Sequence, residues 1–318
     1  MYKRFCITIL AALLISGQVS SQTLSAQSPA ANTVQPKTVQ FAKKDSTPLL
    51  MDIYEPENAE KNAPTVIFMF PGGFIAGERN GYQEREFCRK LCSNGIRAIS
   101  IDYRLGLRNM GKVGLHFIGL LHNAIYMAVE DLYSATSYIL GHSSEMGIDP
   151  ARIVIAGASA GAISVLQSEY ELCNGHDIAS VLPEGFNYAG VISFSGAIFS
   201  ENGRIRYRKT APCPHLMMHG TADRIVFYKG IHLFSQNFAG TSRIAKAFKK
   251  EGYPCTIMRF KDNEHEIAGS CVILADECIR FISDYVTGDS RRQSDALLVE
   301  PAIKHADWGS GSFSKLYK

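Results

Sequence analysis

A short glycine-rich stretch, IAGASAG at residues 155–161, places one serine where it could act as a nucleophile. Ser159 lies between Gly157 and Gly161, shortly after the apolar run 153–156. Glycines at these positions remove side chains that would collide with a neighbouring strand and helix, so that a sharp turn can raise the serine. The alternative is an ordinary strand–helix turn that happens to contain a serine. Because a strand-like run precedes the turn and a helix-like run follows it, the pattern favours a nucleophile elbow.

A serine hydroxyl needs a general base, and two later segments offer the partners. The stretch HGTADRIV at 219–226 puts Asp223 just beyond a predicted strand. The stretch KDNEHEI at 261–267 puts His265 just beyond the next one. Because ligands of a parallel α/β sheet lie at the carboxyl ends of its strands, we expect both side chains to reach the serine at one edge of the sheet.

Other carboxylates and histidines compete for these two roles. Three acidic residues lie too close to His265 in sequence to reach behind its ring easily: Asp262, Glu264 and Glu266. Eight further histidines lie on an irregular segment, bracket a strand or lack the right position: His116, His122, His142, His176, His215, His219, His232 and His305. We expect His219 to shape the loop that carries Asp223 rather than to act as the base.

Backbone N–H groups near the serine can stabilise the oxyanion of an acyl-transfer intermediate. The N–H of Ala160 follows Ser159 directly, and Gly72 and Gly73 lie in a loop after a predicted strand, where glycine lets the backbone approach a substrate. Pro71 precedes them and has no N–H to donate. The expected oxyanion hole therefore comprises Gly72, Gly73 and Ala160, and this chemistry needs neither a cofactor nor a metal ion.

The elements that must position these groups alternate along the chain. Predicted strands occupy 49–56, 65–70, 96–103, 152–157, 189–196, 215–220 and 255–260. Predicted helices occupy 83–93, 130–140, 160–172, 242–250 and 267–286. Such alternation predicts an α/β fold with a mostly parallel central sheet and helices on both faces. The stretch 106–126 is predicted to be an irregular loop that partly covers a site.

The N-terminus has the pattern of a secretory signal peptide at 1–21. Two basic residues precede a short apolar stretch and a run of small residues, and that stretch is too short to span a membrane. We therefore expect a secreted or periplasmic protein with no membrane span. The rest of the chain divides into a disordered lead-in, one catalytic domain and a polar tail, at 22–38, 39–288 and 289–318.

Charge and cysteine content restrict the partners. The net charge is +3 and no basic run is present, so nucleic acid is not expected as a partner. Seven cysteines follow the predicted signal peptide: Cys88, Cys92, Cys173, Cys213, Cys255, Cys271 and Cys278. They have no zinc spacing, and their odd number leaves at least one unpaired. We interpret them chiefly as small buried hydrophobic residues. No pattern indicates the oligomeric state.

Seven motifs spread over residues 50–285 carry a resemblance: MDIYEP, FPGGF, SIDYRL, AVEDLYSATSYI, GIDPARIVIAGASAGA, HGTAD and NEHEI. The chain resembles secreted α/β-hydrolase-fold carboxylesterases of the hormone-sensitive-lipase and feruloyl-esterase-like (BD-FAE-like) groups. The resemblance implies a triad of Ser159, Asp223 and His265, which occur in the expected chain order. In one departure, Phe-Pro-Gly-Gly stands where the family usually has His-Gly-Gly-Gly.

The resemblance implies hydrolysis of short acyl esters through an acyl-enzyme on Ser159. Acetyl or feruloyl esters linked to plant polysaccharides, or small-molecule esters, are the expected substrates. One alternative is a serine peptidase of the prolyl-oligopeptidase type, which shares the triad order but is expected to carry a large N-terminal propeller domain. The other is a catalytically silent binding protein on the same fold, against which the presence of all three triad residues argues.

Overall fold

The computed structural model describes residues 34–57, 59–60, 62–109, 117–201, 204–233 and 236–305. Nine strands form the central sheet: β1 (Lys37–Lys44), β2 (Thr47–Tyr54), β3 (Thr65–Met69), β4 (Arg97–Ile101), β5 (Ile153–Ala158), β6 (Gly190–Phe194), β8 (His215–Gly220), β11 (Cys255–Phe260) and β12 (Gln293–Leu298). A small antiparallel sheet contains β7 (Ala197–Glu201), β9 (Ile231–Leu233) and β10 (Gln236–Gly240). The predicted signal peptide lies outside the described residues.

The central sheet is mostly parallel, in the order β1–β2–β4–β3–β5–β6–β8–β11–β12. Only the two pairings of β2, with β1 and with β4, are antiparallel. Every residue of the five strands β3, β4, β5, β6 and β8 is buried, as continuous apolar runs covered on both faces require. This arrangement confirms the predicted fold class.

Helices cover both faces of this sheet: α1 (Tyr82–Cys92), α2 (Phe117–Gly141), α3 (Ser143–Met146), α4 (Ala160–Asn174), α5 (Thr241–Glu251) and α6 (Ala275–Phe281), which continues as a π-helical turn (Ile282–Thr287). Short 3-10 turns lie at Pro150–Arg152, Asp177–Val181 and His265–Gly269. Two separate clusters of apolar side chains form the core. One lies beneath α1 and α6 on one face of the sheet, and the other lies beneath α2, α4 and α5 on the opposite face.

Four sequence predictions need correction. The helix α2 begins at Phe117, so the end of the stretch 106–126 is helical rather than irregular. The strand β1 begins inside the predicted lead-in, and β12 lies inside the predicted polar tail. Both are edge strands with partly exposed side chains, and polar edge strands lack the apolar run that marks a buried strand. The predicted helix at 267–286 is broken before α6.

All seven cysteines from Cys88 onward are buried and unpaired, which confirms their interpretation as small hydrophobic residues. Burial raises the pKa of Cys255 to about 11 and that of Cys92 and Cys271 to about 12, so these thiols remain protonated at neutral pH. None of the helices in the described ranges has the length and apolar character that crossing a bilayer requires.

Candidate active site

Ser159 occupies a strained turn between β5 and α4. Its backbone angles are φ 50° and ψ −114°, a combination that residues other than glycine rarely adopt. Two backbone hydrogen bonds hold the turn: the Ser159 N–H donates to Phe194 O at 2.9 Å, and Ser159 O accepts from the Ile163 N–H at 2.9 Å. The neighbouring strand β6 and the first turn of α4 therefore fix the angles that present the hydroxyl.

The two glycines beside the serine leave no room for a side chain. A Cβ atom on Gly157 would lie 2.4 Å from the carbonyl group of Gly161. A Cβ atom on Gly161 would lie 2.1 Å from Met69 O and 2.9 Å from Phe70 O, at the end of β3. Gly157 thus lets α4 approach β5, the strand that precedes it, and Gly161 lets α4 approach the end of β3. The steric reason predicted for these glycines is confirmed.

Gly161→Ala is expected to lower the free energy of unfolding by about 3 kcal/mol, because the added methyl group meets fixed backbone atoms rather than a movable side chain. The matched control is Gly119→Ala on α2. Gly119 is exposed and a Cβ atom there would touch nothing within 4 Å, so alanine should stabilise the helix by about 0.5–1 kcal/mol. Denaturant unfolding measures the free energy of unfolding of both variants. Changes of the same sign in the two variants would contradict the steric explanation.

His265 lies between the serine and the carboxylate. Its Nε2 is 2.8 Å from Ser159 Oγ, and its Nδ1 is 2.8 Å from Asp223 Oδ2. An ionised carboxylate only accepts hydrogen bonds, so Nδ1 carries the proton and Nε2 accepts from the serine hydroxyl. All three side chains are buried. The structure thus joins three predicted site residues into one hydrogen-bonded chain.

Asp223 is held by more than its contact with His265. Its Oδ1 accepts from the backbone N–H groups of Ile225 at 2.8 Å and Val226 at 3.0 Å. Burial alone would raise the pKa of the Asp223 carboxyl. The charge of His265 and the hydrogen bonds from His219 and His265 outweigh burial and hold that pKa well below its usual range. The carboxylate is therefore ionised at neutral pH.

The loops that carry Asp223 and His265 pack directly against each other. The Ala222 N–H donates to Asn263 O at 2.9 Å, and the Asp262 N–H donates to the Thr221 hydroxyl at 2.9 Å. A Cβ atom on Gly220 would lie 2.3 Å from Asn263 O, so this close approach requires glycine. Because β8 and β11 are parallel neighbours, their loops leave the same edge of the sheet and meet there.

The predicted oxyanion loop follows β3 as a tight turn. The N–H groups of Ile75 and Ala76 both donate to Gly72 O at 3.0 Å. Gly72 has φ 142° and Gly73 has φ 62°, and a Cβ atom on Gly72 would lie 1.9 Å from Ala76 O. Glycine is therefore needed at Gly72 for steric reasons. Ala160 lies at the start of α4, where N–H groups have no acceptor within the helix.

A comparison with solved structures decides the fold. Esterase 2 of Thermogutta terrifontis superposes with a TM-score of 0.58 at 23% sequence identity, over 79% of this chain and 96% of that one. The chain has the α/β-hydrolase fold. At this level of identity the likeness establishes the fold and leaves the activity to be argued from the site.

Sequence comparison relates the chain to esterases and lipases over part of its length. Residues 51–172 match the family model BD-FAE. Lipase 2 of Moraxella sp. (strain TA144) is 26% identical over 149 residues, 45% of this chain and 31% of that protein. Esterase LipI of Mycobacterium tuberculosis (strain ATCC 25618 / H37Rv) is 31% identical over 108 residues, 33% of this chain and 28% of that protein. The chain therefore spans less than a third of these curated relatives.

The other candidates for the base and the carboxylate are exposed, make other contacts or lie outside the described residues. Among the three rejected carboxylates, Asp262 is exposed and Glu266 accepts from the Asn263 side chain at 2.9 Å. His215 contacts Cys213 O, and His116 lies outside the described residues. Within the part of the chain that the structure describes, no group of three His, Cys, Asp or Glu side chains could hold a metal ion.

A second imidazole reaches the carboxylate and was not predicted to touch it. The Nε2 atom of His219 lies 3.2 Å from Asp223 Oδ2, and the ring is completely buried. The sequence predicts that His219 shapes the loop, because it precedes Gly220 at the end of β8. The spacing of four residues between His219 and Asp223 is a weak signal, since it brings the two together only if the chain turns back there.

Proposed function

We propose that the protein is a serine carboxylic-ester hydrolase. The observation that carries the proposal is the hydrogen-bonded chain from Ser159 through His265 to Asp223, with the serine on a strained elbow at the carboxyl edge of a parallel sheet. Nucleophile, base and orienting carboxylate are the parts that acyl transfer to serine requires. The esterase and lipase names of its relatives support the same activity.

In the proposed reaction, His265 takes the hydroxyl proton as Ser159 Oγ attacks the ester carbonyl carbon. The tetrahedral intermediate then collapses, the C–O bond to the alcohol breaks, and His265 returns the proton to the leaving oxygen. Water, activated in turn by His265, hydrolyses the acyl-enzyme and restores the serine. The N–H groups of Gly72, Gly73 and Ala160 are the proposed donors to the oxyanion. No step requires a cofactor.

The proposed substrates have a short acyl group. Supporting this choice, esterase 2 of Thermogutta terrifontis has been solved with propionate and with butyrate bound. A cleft of about 470 Å³ lies beside the segment that follows β3 and is lined by Phe70 and Gly77 of that segment and by Tyr103, Arg104 and Arg108. Acetyl or feruloyl esters of plant polysaccharides belong to the proposal because residues 51–172 match the BD-FAE family model.

The test is a set of hydrolysis assays with purified protein. p-Nitrophenyl esters of increasing acyl length, acetylated xylan, a methyl ferulate and a peptide amide are compared by kcat/KM. We expect the highest values for acetyl to butyryl esters and none above background for the amide. Hydrolysis of the amide at a rate comparable to the esters would instead identify a peptidase. Absence of turnover on every substrate would indicate a silent member of the fold.

Pro71→Gly is expected to change kcat on a short ester by less than about tenfold. Pro71 has no N–H, so the proposed oxyanion hole loses no donor, whereas removing a donor costs about 10²–10³ in kcat. Pro64→Gly, at the opposite end of β3, is the matched control for loss of proline stiffness. A hundredfold loss in Pro71→Gly alone, with an unchanged melting temperature, would show that the oxyanion assignment is wrong.

A further inference from the structure

The hydrogen-bonded chain continues beyond Asp223 into the protein. His219 Nε2 lies 3.2 Å from Asp223 Oδ2 and 2.8 Å from Val226 O, and His219 Nδ1 lies 2.8 Å from Thr241 Oγ1. A backbone carbonyl only accepts hydrogen bonds, so Nε2 must carry a proton. In the neutral ring Nδ1 is then an acceptor, and the hydroxyl of Thr241 donates to it. The same Nε2–H is shared between Val226 O and the carboxylate.

Thr241 is held in a fixed position relative to the carboxylate loop. It is the first residue of α5, so the start of that helix places its hydroxyl. The helix start is itself fixed to the carboxylate loop, because the Ser242 N–H donates to Tyr228 O at 3.0 Å and the Tyr228 N–H donates to Asp223 O at 3.3 Å. Thr241 and His219 are both fully buried.

The two carboxylate oxygens of Asp223 are held differently. Oδ1 accepts from two backbone N–H groups, those of Ile225 and Val226. Oδ2 lies within reach of two imidazoles, His265 Nδ1 at 2.8 Å and His219 Nε2 at 3.2 Å. Without His219, the only imidazole near Asp223 Oδ2 would be that of His265, which is the ring that the carboxylate has to orient. His219 therefore supplies a reference point that does not move during catalysis.

We propose that His219 is a positioning residue for the reaction proposed above, and that Thr241 keeps it in the donating tautomer. The N–H of His219 fixes Asp223 Oδ2, and this oxygen in turn holds His265 in line with Ser159. The inference rests on the proposed function for its kinetic consequence. The structural consequence, a defined hydrogen bond between His265 and Asp223, depends only on the contacts of His219 and not on the proposed function.

Thr241→Val and Thr241→Ser form a matched pair that tests the proposal. Valine has nearly the same shape but no hydroxyl, whereas serine retains the donor to His219 Nδ1. We expect Thr241→Val to lower kcat about tenfold with KM unchanged, since misplacement of catalytic groups by ~1 Å can cost about 10²-fold and Asp223 keeps its two backbone donors. Thr241→Ser should remain within about threefold of the wild type by the same argument.

The proton between His265 and Asp223 provides a readout that needs no turnover. A proton in such a bond gives a low-field ¹H NMR signal, which we expect to shift or broaden in Thr241→Val and to persist in Thr241→Ser. A folded Thr241→Val with unchanged kcat and an unchanged signal would overturn the proposal, even if its melting temperature fell. If the wild type hydrolyses no ester but the NMR signal still shifts in Thr241→Val, the proposed function is refuted and the positioning role stands.

His219→Gln and His219→Leu give an independent measurement at the ring itself. The glutamine amide can donate to Asp223 Oδ2, whereas leucine cannot. We expect His219→Gln to retain several times more of the wild-type kcat than His219→Leu, with similar KM values for the two variants. Equal kcat values in two folded variants would overturn the proposal, because a role limited to filling space does not depend on the N–H.

Discussion

Ser159→Ala is expected to lower kcat on a short ester by about 10⁴–10⁶-fold while the protein remains folded. The substitution removes only Oγ, the atom that lies 2.8 Å from His265 Nε2. The backbone bonds to Phe194 and Ile163 that hold the turn involve no side-chain atom of Ser159, so alanine can keep the same angles. The measurements are kcat with highly purified protein and the melting temperature.

The matched control is Ser164→Ala, in the helix α4 that follows Ser159 and equally buried. The Ser164 hydroxyl donates to Ala160 O at 2.8 Å within α4 and makes no contact with His265, so its loss should leave kcat within about threefold. A fluorophosphonate should label the wild type and the control at Ser159 and should not label Ser159→Ala. More than a few per cent of residual activity in pure Ser159→Ala would exclude Ser159 as the nucleophile.

Asp223→Asn is expected to lower kcat by about 10⁴-fold, because asparagine imposes the wrong tautomer on His265. The backbone N–H groups of Ile225 and Val226 require an acceptor at the Oδ1 position, so the amide oxygen must lie there. The amide NH₂ group then occupies the place of Oδ2 and meets His265 Nδ1 as a donor. The imidazole of His265 then adopts the tautomer with its proton on Nε2, and Nε2 can no longer accept the proton of Ser159.

Asp262→Asn provides the control for this charge change. Asp262 is exposed, precedes His265 by three residues, and has a φ of 59°, which asparagine also tolerates, so its substitution should leave kcat nearly unchanged. A fall in Asp262→Asn as large as that in Asp223→Asn would show that the loss reflects general charge rather than the tautomer. Kinetics at several pH values and thermal melting accompany both variants.

The depressed pKa of Asp223 also gives the sign of a pH effect on stability. A carboxyl whose pKa is lower in the folded than in the unfolded state stabilises the fold fully above the unfolded value near 4. This contribution is lost only as the pH falls toward the folded-state value. Asp223→Asn should therefore remove part of the acid sensitivity of unfolding, as well as the activity.

The buried strands could be predicted because each is marked by the hydrophobicity of its own residues and by the turn residues that follow it. The strands β3, β5, β6 and β8 are mostly apolar, and a glycine, a serine or a proline at the end of each strand or within two residues after it marks a turn. The edge strand β1 contains three lysines and could not be recognised, since its pairing with β2 depends on a partner rather than on its own hydrophobicity. The start of α2 was missed because Gly119 interrupts the apolar pattern.

The candidate site was predictable to the level of which residues meet. Strand ends and chain order brought Ser159, Asp223 and His265 to one edge, and the structure places them in hydrogen-bonding contact there. The contact between His219 and Asp223 could not be foreseen, because it depends on how α5 packs against the end of β8. A hydrogen-bond network of this kind is set by tertiary packing, which residue spacing alone does not encode.

The loop that carries His265 is fastened to the last strand of the sheet. The Lys261 N–H donates to Leu298 O at 2.8 Å, and β12 pairs with β11 along its whole length. As the chain emerges N-terminus first, from a ribosome or a translocation channel, nucleophile, carboxylate and base appear in that order, and the fastening strand appears after all of them. Nascent chains should therefore remain inert until about residue 298 has emerged, because the loop that carries His265 lacks its fastening strand before that point.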